Sequence, residues 1–251
     1  MNATGDSART GAPGGPPAPP AAGAAWVLLP VTWCAWLLVW LVPSLLVAPH
    51  LASPGLWLSR GTAPAAVLAA ATFFLVAVWP FWPALARSRQ GDAAPPAVGV
   101  AWLGLSVLEL AMLLALALPF GLVAWSVGDA SPLAGPLAAT AGVWAVFGLG
   151  VRMAAAGMGP GAARWLMFGA ALACVGPLAL EYSAGETLGV GFPRILEASP
   201  IVGAIRLALE GWPEGTWPWV ARVVLWPAAG VALGLLGWWR SCRARRRAVD
   251  G

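Results

Sequence analysis

Six apolar runs, at about 26–48, 65–86, 98–127, 137–156, 164–182 and 217–239, constrain this chain more than any other feature. At a rise of about 1.5 Å per residue, roughly 20 apolar residues make a helix that crosses a hydrocarbon core about 30 Å thick. No water is present in that layer to satisfy backbone N–H and C=O groups, so a spanning segment of this length pairs them internally as a helix. The expected fold is therefore all-α, a polytopic membrane protein with about six transmembrane helices over residues 26–239. Composition agrees: 60% of the 251 residues are hydrophobic and only 10% are charged, where a soluble domain carries about 25%. Six spans leave little room for a soluble domain, so any nucleotide-driven engine is expected on another polypeptide.

Residues 1–25 are rich in Ala, Gly and Pro and carry almost no apolar bulk. They cannot bury enough surface to offset chain entropy, so a disordered cytoplasmic tail is expected. A secretory signal fits less well, because Arg9 lies far from an apolar run that is longer than a signal's core. An uncleaved first span is expected instead. The third run is too long for one straight crossing, and Pro119 removes a backbone donor near its end, so a kink or break is expected there. Pro30, Pro43, Pro80, Pro83, Pro177 and Pro227 raise the same question in their own spans.

All 14 basic residues are arginine. With the N-terminus inside, the cytoplasmic side receives Arg9, Arg87, Arg89, Arg152, Arg164, Arg240, Arg243, Arg245, Arg246 and Arg247, while Arg60, Arg194, Arg206 and Arg222 fall outside. This bias follows the positive-inside rule and puts both termini in the cytoplasm, with the chain in the cell (cytoplasmic) membrane. Arg87 and Arg89 after the second span, and the basic cytoplasmic tail 240–251 after the last, are the expected topology anchors. Arg152 and Arg164 flank the loop GMGPGA and are expected to snorkel to the interface, with no intramembrane ion pair needed. The net charge of +4 lies mostly in the final arginine cluster. Beside an apolar span, such a cluster implies orientation and anionic headgroups rather than nucleic acid.

Trp212, Trp217 and Trp219 stand near one end of the last span, and Trp238 and Trp239 near the other. This is the placement of interfacial aromatic belts, which accounts for the spacing without a stacked substrate. Small residues recur inside the spans: Gly230, Gly234 and Gly237 in the last, Gly142, Gly148 and Gly150 in the fourth, Gly169 and Ala173 in the fifth. Such residues let helices approach closely.

Glu109 is the one acid well inside an apolar span. An ionised side chain there is costly unless it pairs, faces the bundle interior or is protonated. Two readings stand beside each other: a residue that lines a path or carries a proton, and a buried carboxyl bonded to Ser106 or to a neighbouring helix. No enzyme constellation is present. The chain has one histidine (His50), one tyrosine (Tyr182) and no lysine, which leaves few general bases or nucleophile activators. Ser199 lies in no GxSxG, and no phosphate-binding GxxxxGK[ST] loop occurs. Cys34, Cys174 and Cys242 are scattered, with no metal-ligand spacing. Neither a metal nor a cofactor is expected.

Between the fifth and last spans, Pro193 and Pro200 punctuate a segment, 193–211, that is too short to span. It should form a hairpin of two short helices that lies at the outer interface or dips in and returns. After Pro200, Ile201, Val202, Ile205, Ala208 and Leu209 make one apolar face, with Arg206 and Glu210 at i,i+4 on the other.

This layout resembles the membrane-spanning permeases of ABC exporters of the second type. The residues that carry the resemblance are Ser199-Pro200-Ile201-Val202 ahead of the last helix and the basic end RSCRARRR. The connection ARSRQGDAAPPA adds to them, standing where the family has a cytoplasmic helix that touches its ATPase. The resemblance implies six spans, both termini inside, and a short outer helical hairpin before the last span. It also implies a separate ATP-binding subunit, a second permease copy or homologue, and no hydrolysis by the chain itself. The competing classes are a non-ABC transporter or channel, a membrane assembly or scaffold subunit, and an intramembrane enzyme.

Overall fold

The computed structural model describes residues 22–47, 62–85, 99–127, 134–156, 158, 160–189 and 191–249. Among these residues all regular structure is helical. Six helical segments are long and apolar enough to cross a membrane: Val27–Leu46, Ala63–Leu85, Val100–Ser126, Ala134–Ala156, Gly161–Thr187 and Thr216–Arg243. The chain is thus an all-α, multi-pass membrane protein, with each expected apolar run forming one span.

The helices are α1 (Ala22–Val47), α2 (Thr62–Phe73), α3 (Val100–Val127), α4 (Ala134–Ala156) and α5 (Pro160–Leu188), then the short α6 (Pro193–Glu197) and α7 (Pro200–Glu210), and finally α8 (Thr216–Trp219) and α9 (Leu225–Val249). The second span continues from α2 through a π-helical turn, Phe74–Val78, and a 3-10 turn, Trp79–Phe81. The last span passes from α8 through a second π turn, Val220–Val224, into α9. Pro80 and Pro83 cannot donate to an α-helical ladder, and the departures from α geometry in the second span occur where those donors are missing. Pro119 does not break its helix, because α3 runs unbroken from Val100 to Val127. Membrane helices tolerate such a proline where neighbours cover the freed carbonyl. Two boundaries also differ from expectation. Ala22–Ala25 already belong to α1, and α9 continues as helix past Trp239, through the basic segment, to Val249.

The second span is the centre of the bundle. Its alanine-rich α2 packs against α1, α3 and α7, and 72% of its apolar window is buried, compared with 17% for α5. Small side chains bring those neighbours close. Tryptophan N–H groups fasten the first three spans. Trp33 on α1 is fully buried and donates from Nε1 to the Leu113 carbonyl at 2.8 Å, while its ring lies 4.7 Å from that of Phe74. Trp36 donates to the Ala70 carbonyl at 2.9 Å. An indole N–H left unpaired in such surroundings would cost about 1–3 kcal/mol. Several tryptophans therefore serve the core, whereas Trp212, Trp217, Trp219, Trp238 and Trp239 are exposed, as a belt requires.

α4 and α9 share the most extensive contact of any two helices among the described residues. A Cβ on Gly150 would stand 1.8 Å from the Gly230 carbonyl oxygen, and one on Gly237 would stand 2.5 Å from that of Met153. Only glycine permits this approach. Gly148 makes room for the Trp79 ring in the same way, but Gly142 and Gly169 face open space.

Candidate functional site

Among the described residues, the charged groups buried in this apolar bundle fall into two clusters. The first joins spans two, three and four. Glu109 lies on α3, nine residues after Val100, which is roughly 14 Å along the helix. Its Oε2 sits 2.6 Å from Arg152 Nη2 on α4 and accepts a hydrogen bond from Trp79 Nε1 at 3.2 Å. Arg152 also donates from Nη1 to the Trp79 carbonyl at 3.5 Å. That carbonyl would bond residue 83 in an α-helix, and residue 83 is a proline. The guanidinium rests over the Trp79 and Trp102 rings, 5.0 and 5.6 Å from their centroids. Such rings stabilise a desolvated cation by cation–π attraction.

This arrangement corrects the reading of Arg152 as an orientation anchor. The residue is only 4% exposed and is ion-paired inside the bundle, whereas Arg164 is exposed as expected. Packing decides the difference. Gly148 and Gly150 seat α4 against Trp79 and α9, which turns Arg152 inward toward Glu109 before it can reach an interface. Glu109 does not bond Ser106, whose hydroxyl donates to the Trp102 carbonyl at 2.9 Å; its partners come from the neighbouring helices.

The second cluster stands where α6, α7 and the last span meet. Arg222, in the π turn, grips Glu197 in bidentate fashion, with Nε to Oε2 at 2.6 Å and Nη2 to Oε1 at 2.9 Å. Arg206 pairs with the same carboxylate. Glu210 completes the group, 3.8 Å from Arg206 Nε and 3.5 Å from Arg222 Nη1. Burial would raise the Glu197 pKa, but the hydrogen bonds and charges of Arg222 and then Arg206 outweigh it and hold the carboxyl below its usual range.

Ser199 and Pro200 lie at the joint of the hairpin. Ser199 is fully buried and donates to the Cys174 carbonyl on α5 at 2.9 Å. Pro200 opens α7 at its first turn, where its missing N–H costs nothing. Trp226 Nε1 donates to the Ala198 carbonyl at 3.2 Å. The expected apolar face of α7 is buried, with Leu209 partly so, and α7 packs on α2 and α4. The hairpin therefore folds back into the bundle. A crevice of about 10 Å³ between α4, α7 and the last span, lined by Thr140, Trp144, Gly203, Arg222 and Trp226, has room for about one water.

Each cluster balances its own charge, one acid against one base in the first and two against two in the second. Both link neighbouring helices. Sequence reading marked Glu109, Ser199 and Pro200, but it missed Arg152 as Glu109's partner and Arg222 as the centre of the hairpin cluster. The available signal was that Arg222 falls inside the last apolar run, where an unpaired cation is costly. Of the expected anchors, Arg240, Arg243 and Arg246 are exposed on α9, and Arg245 and Arg247 belong to the same helix. Arg87, Arg89 and His50 lie outside the described residues. No protein-family model, curated protein or solved structure matches the chain.

Proposed function

We propose that this chain is the membrane permease subunit of an ATP-driven exporter of the ABC type, with a separate subunit hydrolysing ATP. The observation that carries the reading is the Pro-broken hairpin before the last span. Ser199-Pro200 forms its joint, and α7 folds back among the spans. A scaffold needs no such element, whereas a permease can use it to close one end of a path. In this reading the chain lies in the cell membrane with both termini cytoplasmic, and the hairpin is outside. It pairs with a second permease copy or homologue, and two ATPase subunits act from below. ATP-driven closure shifts spans two and three through their connecting segment. Glu109 and Arg152 carry that shift to α4, and α4 carries it to the last span through the Gly150–Gly230 contact. Arg222 and Glu197 then move the hairpin.

Purification of the full chain in mild detergent from its own cells tests the reading. An ATPase bearing a GxxxxGK[ST] loop should copurify, and ATP turnover should accompany it. A preparation with neither would overturn the permease assignment in favour of a non-ABC transporter, a channel or an assembly subunit. A reporter fused at Gly251 checks the orientation; activity only in a reporter that works outside the cytoplasm would reverse it.

A further inference from the structure

α9 presents two faces to different surroundings. Gly230 and Gly237 seat one face on α4. At about 100° per residue, the opposite face carries Leu235, Leu236, Trp239, Arg243 and Arg246 within an arc of roughly 100°. Leu235, Leu236 and Trp239 are exposed, as are Arg243 and Arg246. The Arg243 guanidinium lies 4.9 Å from the Trp239 ring centroid, which holds it in place over the aromatic side chain. Read along the helix, the stripe passes from aliphatic to aromatic to cationic. From Leu235 to Arg246 it rises through eleven residue steps, or roughly 16 Å, close to half of a hydrocarbon core about 30 Å thick. No acid occurs anywhere in α9 to neutralise it.

We infer that this stripe binds an anionic phospholipid, with the phosphate at Arg243 and Arg246, the glycerol region on Trp239 and an acyl chain along Leu235 and Leu236. Charge complementarity selects the headgroup, and the continuous apolar lower half selects a lipid. An acidic protein segment would engage the arginines and leave the leucines and Trp239 unused. This inference goes beyond transport and stands independently of any ATPase.

The test uses the purified full chain in a neutral detergent and compares phosphatidylglycerol with phosphatidylcholine at equal mole fraction. Phosphatidylglycerol should raise Tm more than phosphatidylcholine, and native mass spectrometry should show it preferentially retained. The variant Arg243→Gln with Arg246→Gln should bind phosphatidylglycerol about thirtyfold more weakly, as expected for two surface cations. Its Tm in phosphatidylcholine should be unchanged. Equal effects of the two lipids on the wild-type chain would overturn the inference, as would an undiminished phosphatidylglycerol effect in the variant. Inorganic phosphate or polyglutamate matching phosphatidylglycerol would overturn it too, the latter pointing to an acidic protein instead. Should the variant not fold, rising salt applied to the wild-type chain decides: retention of phosphatidylglycerol must fall while that of phosphatidylcholine holds.

Discussion

Glu109 and Arg152 are each expensive in a bilayer and tolerable together. Taking either charge out of water costs several kcal/mol, and the pair offsets this through its own attraction and through a ring N–H and a carbonyl from Trp79, although Arg152 Nε has no hydrogen-bond partner among the described residues. Breaking the pair from one side should therefore cost more than removing it whole. Glu109→Gln or Arg152→Met should each destabilise the chain by about 3–5 kcal/mol, read as a large fall in Tm in detergent. The double variant Glu109→Gln with Arg152→Met should recover most of that loss. Additive losses in this double-mutant cycle would show that the two side chains are not coupled. Glu109 was visible in the sequence because a lone acid stands out among leucines. Its partner was not, since Arg152 is only five residues from the loop start at Gly157 and reads equally well as an anchor.

At the scale of elements, the fourth and last spans behave as one unit because glycine removes the side chains between them. Gly150→Ala or Gly230→Ala would place a Cβ within 1.8 or 2.5 Å of backbone on the other helix. Each should cost at least the roughly 1–3 kcal/mol of an overpacked core. Gly169→Ala and Gly142→Ala, which meet no neighbour, should cost nothing and add up to about 1 kcal/mol of stability through helix propensity. The yield of monodisperse protein and its Tm measure both classes. The repeated small residues were plain in the sequence, but that pattern does not distinguish Gly150 from Gly142. Only the relative rotation of two helices does, and a periodicity argument within one helix carries no information about its partner. The hairpin was legible for the opposite reason. Pro193 and Pro200 act on their own backbones, so α6 and α7 begin where those prolines stand.

For the molecule as a whole, the hairpin's tie to the last span should respond to acid. The folded-state pKa of Glu197 lies below its unfolded value, so the ionised form stabilises the fold. That contribution is fully present above the unfolded value of about 4.3 and is lost as pH falls through the lower folded value. Tm should therefore hold between about pH 7 and 5 as far as this group is concerned and decline below that. Glu197→Gln should lower Tm at neutral pH and flatten the acid limb. An acid limb of unchanged steepness in the variant would assign the loss to other carboxylates.

Helix number, span positions and the proline-marked hairpin followed from the sequence, because solvent and local backbone chemistry act along the chain. Roughly twenty apolar residues span a bilayer whatever surrounds them, and Pro193 and Pro200 set the starts of α6 and α7 through their own backbones. Which charges pair, and which glycines are indispensable, depended on the tertiary structure. Those outcomes are set by the rotation and depth at which separate helices meet. Arg152 turned inward to Glu109, and Arg222 joined Glu197 across 25 residues of chain, because packing of α4 and the last span brought them within reach.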